Sequence, residues 1–418
     1  MAKPKLALIP ATQGSKLYSV LPADGVGDFT FSRNSAATRI NKDGLIETVA
    51  VGKSRLNYPL IDGVVNGCPS HLLEPSRLQK IQYSEDFSQS AWTKGGSSVI
   101  SGFTSPKGDL SAFKLVEDTS TGNHRFYSIV SITSGLTYSQ SIFAKAGNRD
   151  ILQIAFGGKL DTTDYVNFNL TNGTVSSQVG NLNPQIEYFN DGWYRCSVFT
   201  TAITTGTEAI YYQVQESPTA SRFLTYTGDG TSGIYVWGAQ FEQGSYPTSY
   251  IPNYGTSAGI TRSAETATGA GDASTFNDSE GVLMVEGSFV DDISYKGISI
   301  SNGTNSNSIR IYASVSTNQL VFRVTVNSVD QVLKLYTLNN TSIYNKISIK
   351  YKENDFNVFI NGFKLLTDNS GSTFSSGILN QLNFNRSDGN DPFYGSAKQI
   401  QYFDSALNDS DLEKITSW

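Results

Sequence analysis

Charged residues are scarce in this chain, at 16% of 418 residues, against the ~25% usual in soluble domains. Solubility therefore falls to Ser, Thr, Asn and Gly. The two cysteines, Cys68 and Cys196, stand far apart, so no short Cys spacing offers a disulfide framework or a zinc site. Two unpaired thiols suit folding in a reducing cytoplasm. His71 and His124 are the only histidines, and neither accompanies a Ser in a nucleophile-elbow context, which leaves Ser-His-acid catalysis almost without material. No apolar run approaches the ~18 residues of a membrane span. LALIPA near the N-terminus is too short for a signal-peptide core and contains a proline. The expectation is a protein synthesised in the cytoplasm without a Sec signal and with no membrane partner. A net charge of -6 without a basic stripe excludes a nucleic-acid partner, because phosphate binding needs clustered Lys and Arg.

Helical periodicity is nearly absent, whereas apolar residues alternate with period 2 between Gly, Asn and Asp turns. Ile347, Ile349 and Tyr351 alternate with Ser348 and Lys350, and Phe356, Val358 and Ile360 follow in the same phase. Asn361-Gly362 comes next and predicts a type I′ hairpin, whose two central residues need positive φ. Similar segments recur at 138–147, 193–203, 208–215 and 233–241 and read as a jelly-roll-like sandwich. The fold class expected is all-β: two β-sandwich (jelly-roll) domains after a small N-terminal attachment region. Its boundaries are 1–78 for attachment and oligomerisation, 79–252 for the first sandwich, 253–280 for a linker, and 281–418 for the second sandwich. The linker is placed by Pro247, Pro252 and the small residues after them. One short helix closes the chain, with Ser410 and Glu413 as its capping box. RNSAAT at 33–38 is echoed by TRSAET at 261–266, as a shared linker conformation would be.

Each chemical constellation has a plain alternative. GKS at 52–54 lacks the first glycine of a phosphate loop, because Glu47 occupies that place. Glycoside hydrolysis needs only two carboxylates across a cleft, and Glu85, Asp86, Asp161, Asp164, Glu187, Asp191, Asp291, Asp292 and Asp388 are candidates. Nothing pairs any two of them, and most sit in turns, where Asp bonds backbone. For calcium, Asp388, Asn390 and Asp391 share one turn and offer the oxygen ligands that ion takes; a structural Ca2+ there is the one cofactor suggested. Carbohydrate binding needs aromatic faces and polar partners, and Trp92, Trp193, Tyr211, Tyr212, Tyr235 and Trp237 supply rings. Strand alternation puts Tyr194, Cys196 and Val198 on one face, leaving Trp193, Arg195 and Phe199 on the other. The ligand-binding residues read from this are Trp193, Arg195, Tyr211, Tyr212 and Trp92.

FSRNSAATRINKDGLIETVA, GCPSHLLEPSRLQKIQYSEDFSQSAWTK and IYVWGAQFEQGSYPTSYIP, in that order, resemble a family of tailed-phage virion proteins described as head-spike, head-fibre or tail-fibre proteins. The resemblance covers about residues 31–266 and implies a carbohydrate-binding-module-like sandwich. YNKISIKYKENDFNVFINGFKL with FYGSAKQIQYFDSALNDSDLEKI is similar to a concanavalin A-like, laminin-G type domain over 281–418. What this implies is a non-enzymatic virion fibre or spike subunit on the particle surface. Its partners would be sister chains, a trimer favoured, other virion proteins, and host-surface or mucosal glycans. A tailspike-like polysaccharide depolymerase and a purely architectural capsid decoration are the alternatives. In FSRNSAATRINKDGLIE the turn NKDG predicts a hairpin, and Arg33 and Arg39 flank small residues that would let another chain pack closely, so these two arginines are the expected attachment and oligomerisation residues.

Overall fold

The computed structural model describes residues 2–10, 14–160, 163–290 and 294–418. Alternation along the strands decides the architecture. In His124–Ile132, Phe126, Val130 and Ile132 point into a core while Arg125, Tyr127 and Ile129 point away, and the same rhythm lets two six-stranded antiparallel sheets face each other. One sheet centres on His124–Ile132, Gly206–Gln215 and Ile151–Phe156. The other centres on Gly233–Gln243, Thr137–Lys145 and Trp193–Thr201. Phe126, Ile142, Ile154, Cys196, Tyr212 and Val236 belong to the shared core.

A second sandwich pairs an eight-stranded sheet with a five-stranded one. Asn361 and Gly362 take φ of 48° and 83°, the two positive values required between Phe356–Ile360 and Phe363–Asp368. The closing helix, Asp409–Thr416, is capped by Asn408, not Ser410: the Asn408 side chain accepts from the Asp411 N–H. Asn408 and Asp411 supply the cap-and-third-residue spacing two positions earlier, with the acids in the first turn suiting the helix dipole.

Residues 1–78 are not a separate region. Leu6–Leu8, Arg55–Asn57 and Ser70–Leu73 are strands of the second sandwich's eight-stranded sheet: the first and third pair with Gly395–Phe403, and the second extends the third. Leu6, Leu8, Leu17, Phe29, Phe31 and Leu73 enter the same core as Leu283, Ile309 and Ile349. Residues 253–280 are not a loose linker either. Ile260–Arg262 pairs with Arg77–Gln79, and Thr266–Thr268 pairs with Phe29–Ser32. The first sandwich is thus inserted into a unit built from both ends of the chain.

A buried ion cluster stands at that junction. Arg33 donates to Glu265 at 2.6 Å, Arg55 engages Glu265 through both Nε (2.8 Å) and Nη2, and Arg55 and Arg262 each reach Glu74 at 2.8 Å. Ser249, at the end of the first sandwich, donates to Glu74 through its N–H (2.8 Å) and hydroxyl (2.6 Å). Burial opposes ionisation of Glu74, but Arg262, Arg55 and Ser249 outweigh it and hold the carboxyl below the usual range. Three guanidinium groups face two carboxylates, and further N–H groups go to carbonyls of Ser35, Thr38, Ala50 and Pro75, while the buried Arg262 Nε has no partner. The echoed segments meet here: the Ser263 N–H donates to Ser35 Oγ at 2.9 Å, with Arg33 and Arg262 one on each. Arg33, expected at a contact with another chain, is therefore buried inside its own fold. The hairpin of FSRNSAATRINKDGLIE does form, with Ala37–Ile40 against Ile46–Val49.

Removing one carboxylate from such a cluster leaves buried cations uncompensated, at a cost of about 3–5 kcal/mol. Glu265→Gln is expected to lose that much stability in denaturant unfolding; an unchanged midpoint would contradict the cluster's role. Glu74 has its folded pKa depressed, so its contribution is complete above the unfolded value near ~4.3 and fades as pH falls below it. Acid unfolding of Glu74→Gln should accordingly be flatter below about pH 4 than that of the wild type.

Candidate functional site

The outward face of the strand Trp193–Thr201 builds one wall of a deep cleft. Tyr194, Cys196 and Val198 pack into the first sandwich, as the alternation requires, while Trp193 turns to a separate cluster with Phe143, Phe189, Trp237 and Tyr250. Ile40, Ile46 and Leu60 pack against that cluster from the N-terminal hairpins, so the sheet has a second cover. Where this cover stands away from the sheet, a cleft of about 510 Å³ remains, lined among others by Arg39, Tyr58, Glu187, Tyr188 and Arg195. One wall is drawn in at Gly63, with φ of 73°, because any Cβ there would collide with the Tyr188 ring.

Arg195 is the unusual group. Its Nη2 donates to the Thr248 carbonyl at 2.7 Å and to Ser141 Oγ at 3.1 Å, its guanidinium lies 5.5 Å from the Phe143 ring centre, and its buried Nε has no hydrogen-bond partner. Among the described residues it forms no ion pair. Burial lowers its pKa from the ordinary value, with Glu187 and Glu242 working against that. Arg39 pairs with Glu47 at 2.8 Å and donates to the Leu56 carbonyl at 3.2 Å. Tyr188 is 40% exposed and lies against Tyr194 with ring centres 5.1 Å apart. Rings beside guanidinium donors in a concave site can take a polar ligand that has apolar faces and an anionic group.

Arg39 and Arg195 are thus brought together, while the aromatic candidates are dispersed. Trp92, Trp193 and Tyr212 are 2%, 1% and 0% exposed and cannot present a ring face to a ligand. Trp92 is held by its Nε1 on the Tyr83 carbonyl at 2.9 Å. Tyr212 is a core ring stacked on Phe126, with its hydroxyl pKa pushed up by burial. Trp193 is covered by the N-terminal hairpins, a layer that the strand's own alternation could not reveal. Tyr211 is half-buried on the outer face of the opposite sheet, where Arg125 lies 4.8 Å from its ring centre. Tyr58 and Tyr188 went unnoticed in the sequence; the one available signal was the alternation of IEYFNDGWYRC across its turn.

The turn read as a calcium site is occupied by a cation of its own. Arg386 pairs with Asp388 at 3.1 Å and Asp391 at 3.0 Å, and its charge would repel a metal from Asp388, Asn390 and Asp391. Among the described residues no group of three His, Cys, Asp or Glu side chains could hold a metal ion. Of the described carboxylates considered for glycoside hydrolysis, only Glu187 lines the cleft. Glu85 pairs with Lys107, Asp191 with Lys145, Asp86 caps the backbone at Ser88, and Asp164 is buried. Asp161, Asp291 and Asp292 lie outside the described residues. His71 is buried with its pKa lowered to about 3 by desolvation, and His124 is held between the carbonyls of Gly96 and Tyr226.

No protein-family model matches this chain, and no curated protein matches it. Among solved structures, the chain is similar to the Ruminococcus gnavus IT-sialidase CBM40 bound to α2,3-sialyllactose, at 18% identity over 36% of this chain and 88% of that one, with a TM-score of 0.30. Mouse laminin α1 domains LG4-5 match at 9% identity over 70% of this chain and 90% of that one, TM-score 0.24. Trypanosoma rangeli sialidase in complex with sialic acid matches at 12% identity over 98% of this chain and 82% of that one, TM-score 0.26. At these scores the likenesses carry no argument about function; the all-β sandwich architecture stands on the strands themselves.

Proposed function

We propose that this chain is a non-catalytic glycan-binding subunit of a phage virion fibre or spike, and that the cleft between the N-terminal hairpins and the first sandwich is its glycan site. The observation that carries the binding reading is Arg195, which lines the cleft with an unpartnered buried Nε and no ion pair among the described residues. A sugar bearing a carboxylate would accept from the part of the guanidinium that faces the cleft and supply the missing counter-charge, with Arg39 beside it. Tyr58 and Tyr188 offer rings to the C–H faces of a pyranose.

Placement on a virion rests on the sequence resemblance over residues 31–266. It brings with it oligomerisation, a trimer favoured, and contact with other virion proteins. On such a particle a weak contact per chain becomes useful through avidity, which adds about 10²–10⁴ to binding when copies engage together. The non-catalytic reading is supported by the engagement of Glu85, Asp86, Asp191 and Asp388 in structural contacts.

A charge-assisted hydrogen bond contributes about 1.5–3 kcal/mol, so Arg195→Gln should weaken binding of carboxylate-bearing glycans on an array by about tenfold or more. Tyr188→Ala should weaken binding of both neutral and acidic glycans that the wild type retains. The variants' circular dichroism should match the wild type. Undiminished array binding by a folded Arg195→Gln protein would overturn the assignment of this cleft.

A further inference from the structure

The strand Ser308–Ala313 sends Ile309, Ile311 and Ala313 into the second sandwich's core, which puts Ser308, Arg310 and Tyr312 on the outer side of the five-stranded sheet. Arg310 is 4% exposed. It donates to Asn305 Oδ1 and Thr325 Oγ1, both at 3.1 Å. It makes no ion pair among the described residues, and its Nε is buried without a partner. Its ladder partner on one side is Arg323, and on the other Ser299, whose Oγ is also buried without a partner. Like charges directly opposite across two strands destabilise a sheet, and a buried unpaired cation costs more still. The pKa of Arg310 is lowered by burial and by Arg323.

Arg310, Arg323 and Arg386 line one shallow cleft of about 290 Å³ with Asn305, Ser306 and Ser328, close to the lower end of the ~300–1,000 Å³ of small-ligand sites. Among the described residues no carboxylate is in that lining. Asp330 holds Arg323 through two contacts of 2.7 and 2.8 Å, and Asp388 and Asp391 hold Arg386. The two outer guanidinium groups are therefore oriented by acids, and the central one is left without a counterion. On the loop that bears Arg386, Asn385 Oδ1 and Ser387 Oγ are further buried polar atoms without partners.

We propose that this cleft is a second ligand site, which takes the oxyanion of an acidic glycan, a sulfate ester or carboxylate, between Arg310, Arg323 and Arg386. The oxyanion would accept from the guanidinium N–H groups, for which planar oxygen acceptors are the matched partners. The assignment to a glycan rests on the proposed function; the arginine cluster stands without it.

Calorimetric titration of the full chain tests the site with a sulfated uronate–hexosamine disaccharide and with inorganic sulfate. The wild type is expected to bind the disaccharide at least tenfold more tightly than inorganic sulfate, and Arg310→Met to lose at least tenfold. Without ligand, Arg310→Met should unfold at the wild-type temperature or above, because an uncompensated buried charge has been replaced by an apolar chain of similar length; a merely structural arginine would show the opposite. If Arg310→Met does not fold, the more exposed Arg323→Gln is expected to show the tenfold loss. Repeated in the Arg195→Gln background, where carboxylate binding at the first cleft is weakened, the titration should show the same loss on Arg310→Met, which separates a failure here from a failure of the first cleft. Equal affinity for inorganic sulfate would overturn the glycan assignment. Wild-type binding in the folded Arg310 variant, or no binding by the wild type, would overturn the site.

Discussion

The cluster of Arg33, Arg55, Arg262, Glu74 and Glu265 is the constraint on which the rest of this structure depends. Its members come from four stretches of chain, at residues 33, 55, 74 and 262–265, and none of the five side chains can reach water freely. Replacing a buried ion cluster with apolar residues is often neutral or stabilising, whereas breaking one is strongly destabilising. Such a cluster therefore adds little net stability and much geometric demand, because its guanidinium groups and carboxylates have to be brought into register from distant parts of the chain. This explains how the first sandwich can be inserted between strands of the second without a flexible joint. The two passages across the junction, near residues 74–79 and 249–265, are tied to each other by Glu74, Ser249 and the pairing of Arg77–Gln79 with Ile260–Arg262.

The cleft inherits its shape from the same place. Arg55 takes the Thr38 carbonyl at 2.9 Å, and the Thr38 hydroxyl donates to the Tyr250 carbonyl at 2.5 Å. Thr38, Glu74, Ser249 and Tyr250 all line the cleft that holds Arg39 and Arg195. The walls around the proposed glycan site are thus continuous with the ion cluster. The proposed site on the second sandwich is built differently: its arginines sit on the outward face of a sheet whose inward face is core, so it would engage a ligand without involving the junction. Two sites of unlike construction would make the two sandwiches separable in binding even though they are joined in folding.

The strands were legible because period-2 alternation is local. Ile347 to Ile360, the Asn361-Gly362 turn and the hairpin at Asn41 to Gly44 can each be read within about ten residues, and the structure keeps them. The pairing of Leu6–Leu8 with residues 400–402 could not be read, since contacts across nearly the whole chain leave no local pattern. Charge misled in the same way. Arg33 and Glu265 look like surface residues, because nothing near either one in the sequence announces a partner 232 positions away. Aromatic residues misled for the opposite reason: Trp193 sits on the face that a two-layer sandwich would leave open, and a third layer from the N-terminus closes it. The outward placement of Arg195 was legible because a strand's alternation decides which side a long polar chain leaves by, but the missing partner of its Nε is visible only in three dimensions.

The most direct test of the account is native-state hydrogen exchange on the full chain carrying Glu265→Gln, compared with the wild type, because exchange reports opening segment by segment. Loss of the cluster is predicted to lower protection together at 30–32, 55–57, 70–73, 77–79 and 260–268, while Ile151–Phe156 and Gly206–Gln215 in the first sandwich keep theirs. Loss confined to the few residues around 265, with the N-terminal strands still protected, would contradict the claim that this one cluster holds the two ends of the chain and the inserted sandwich in register.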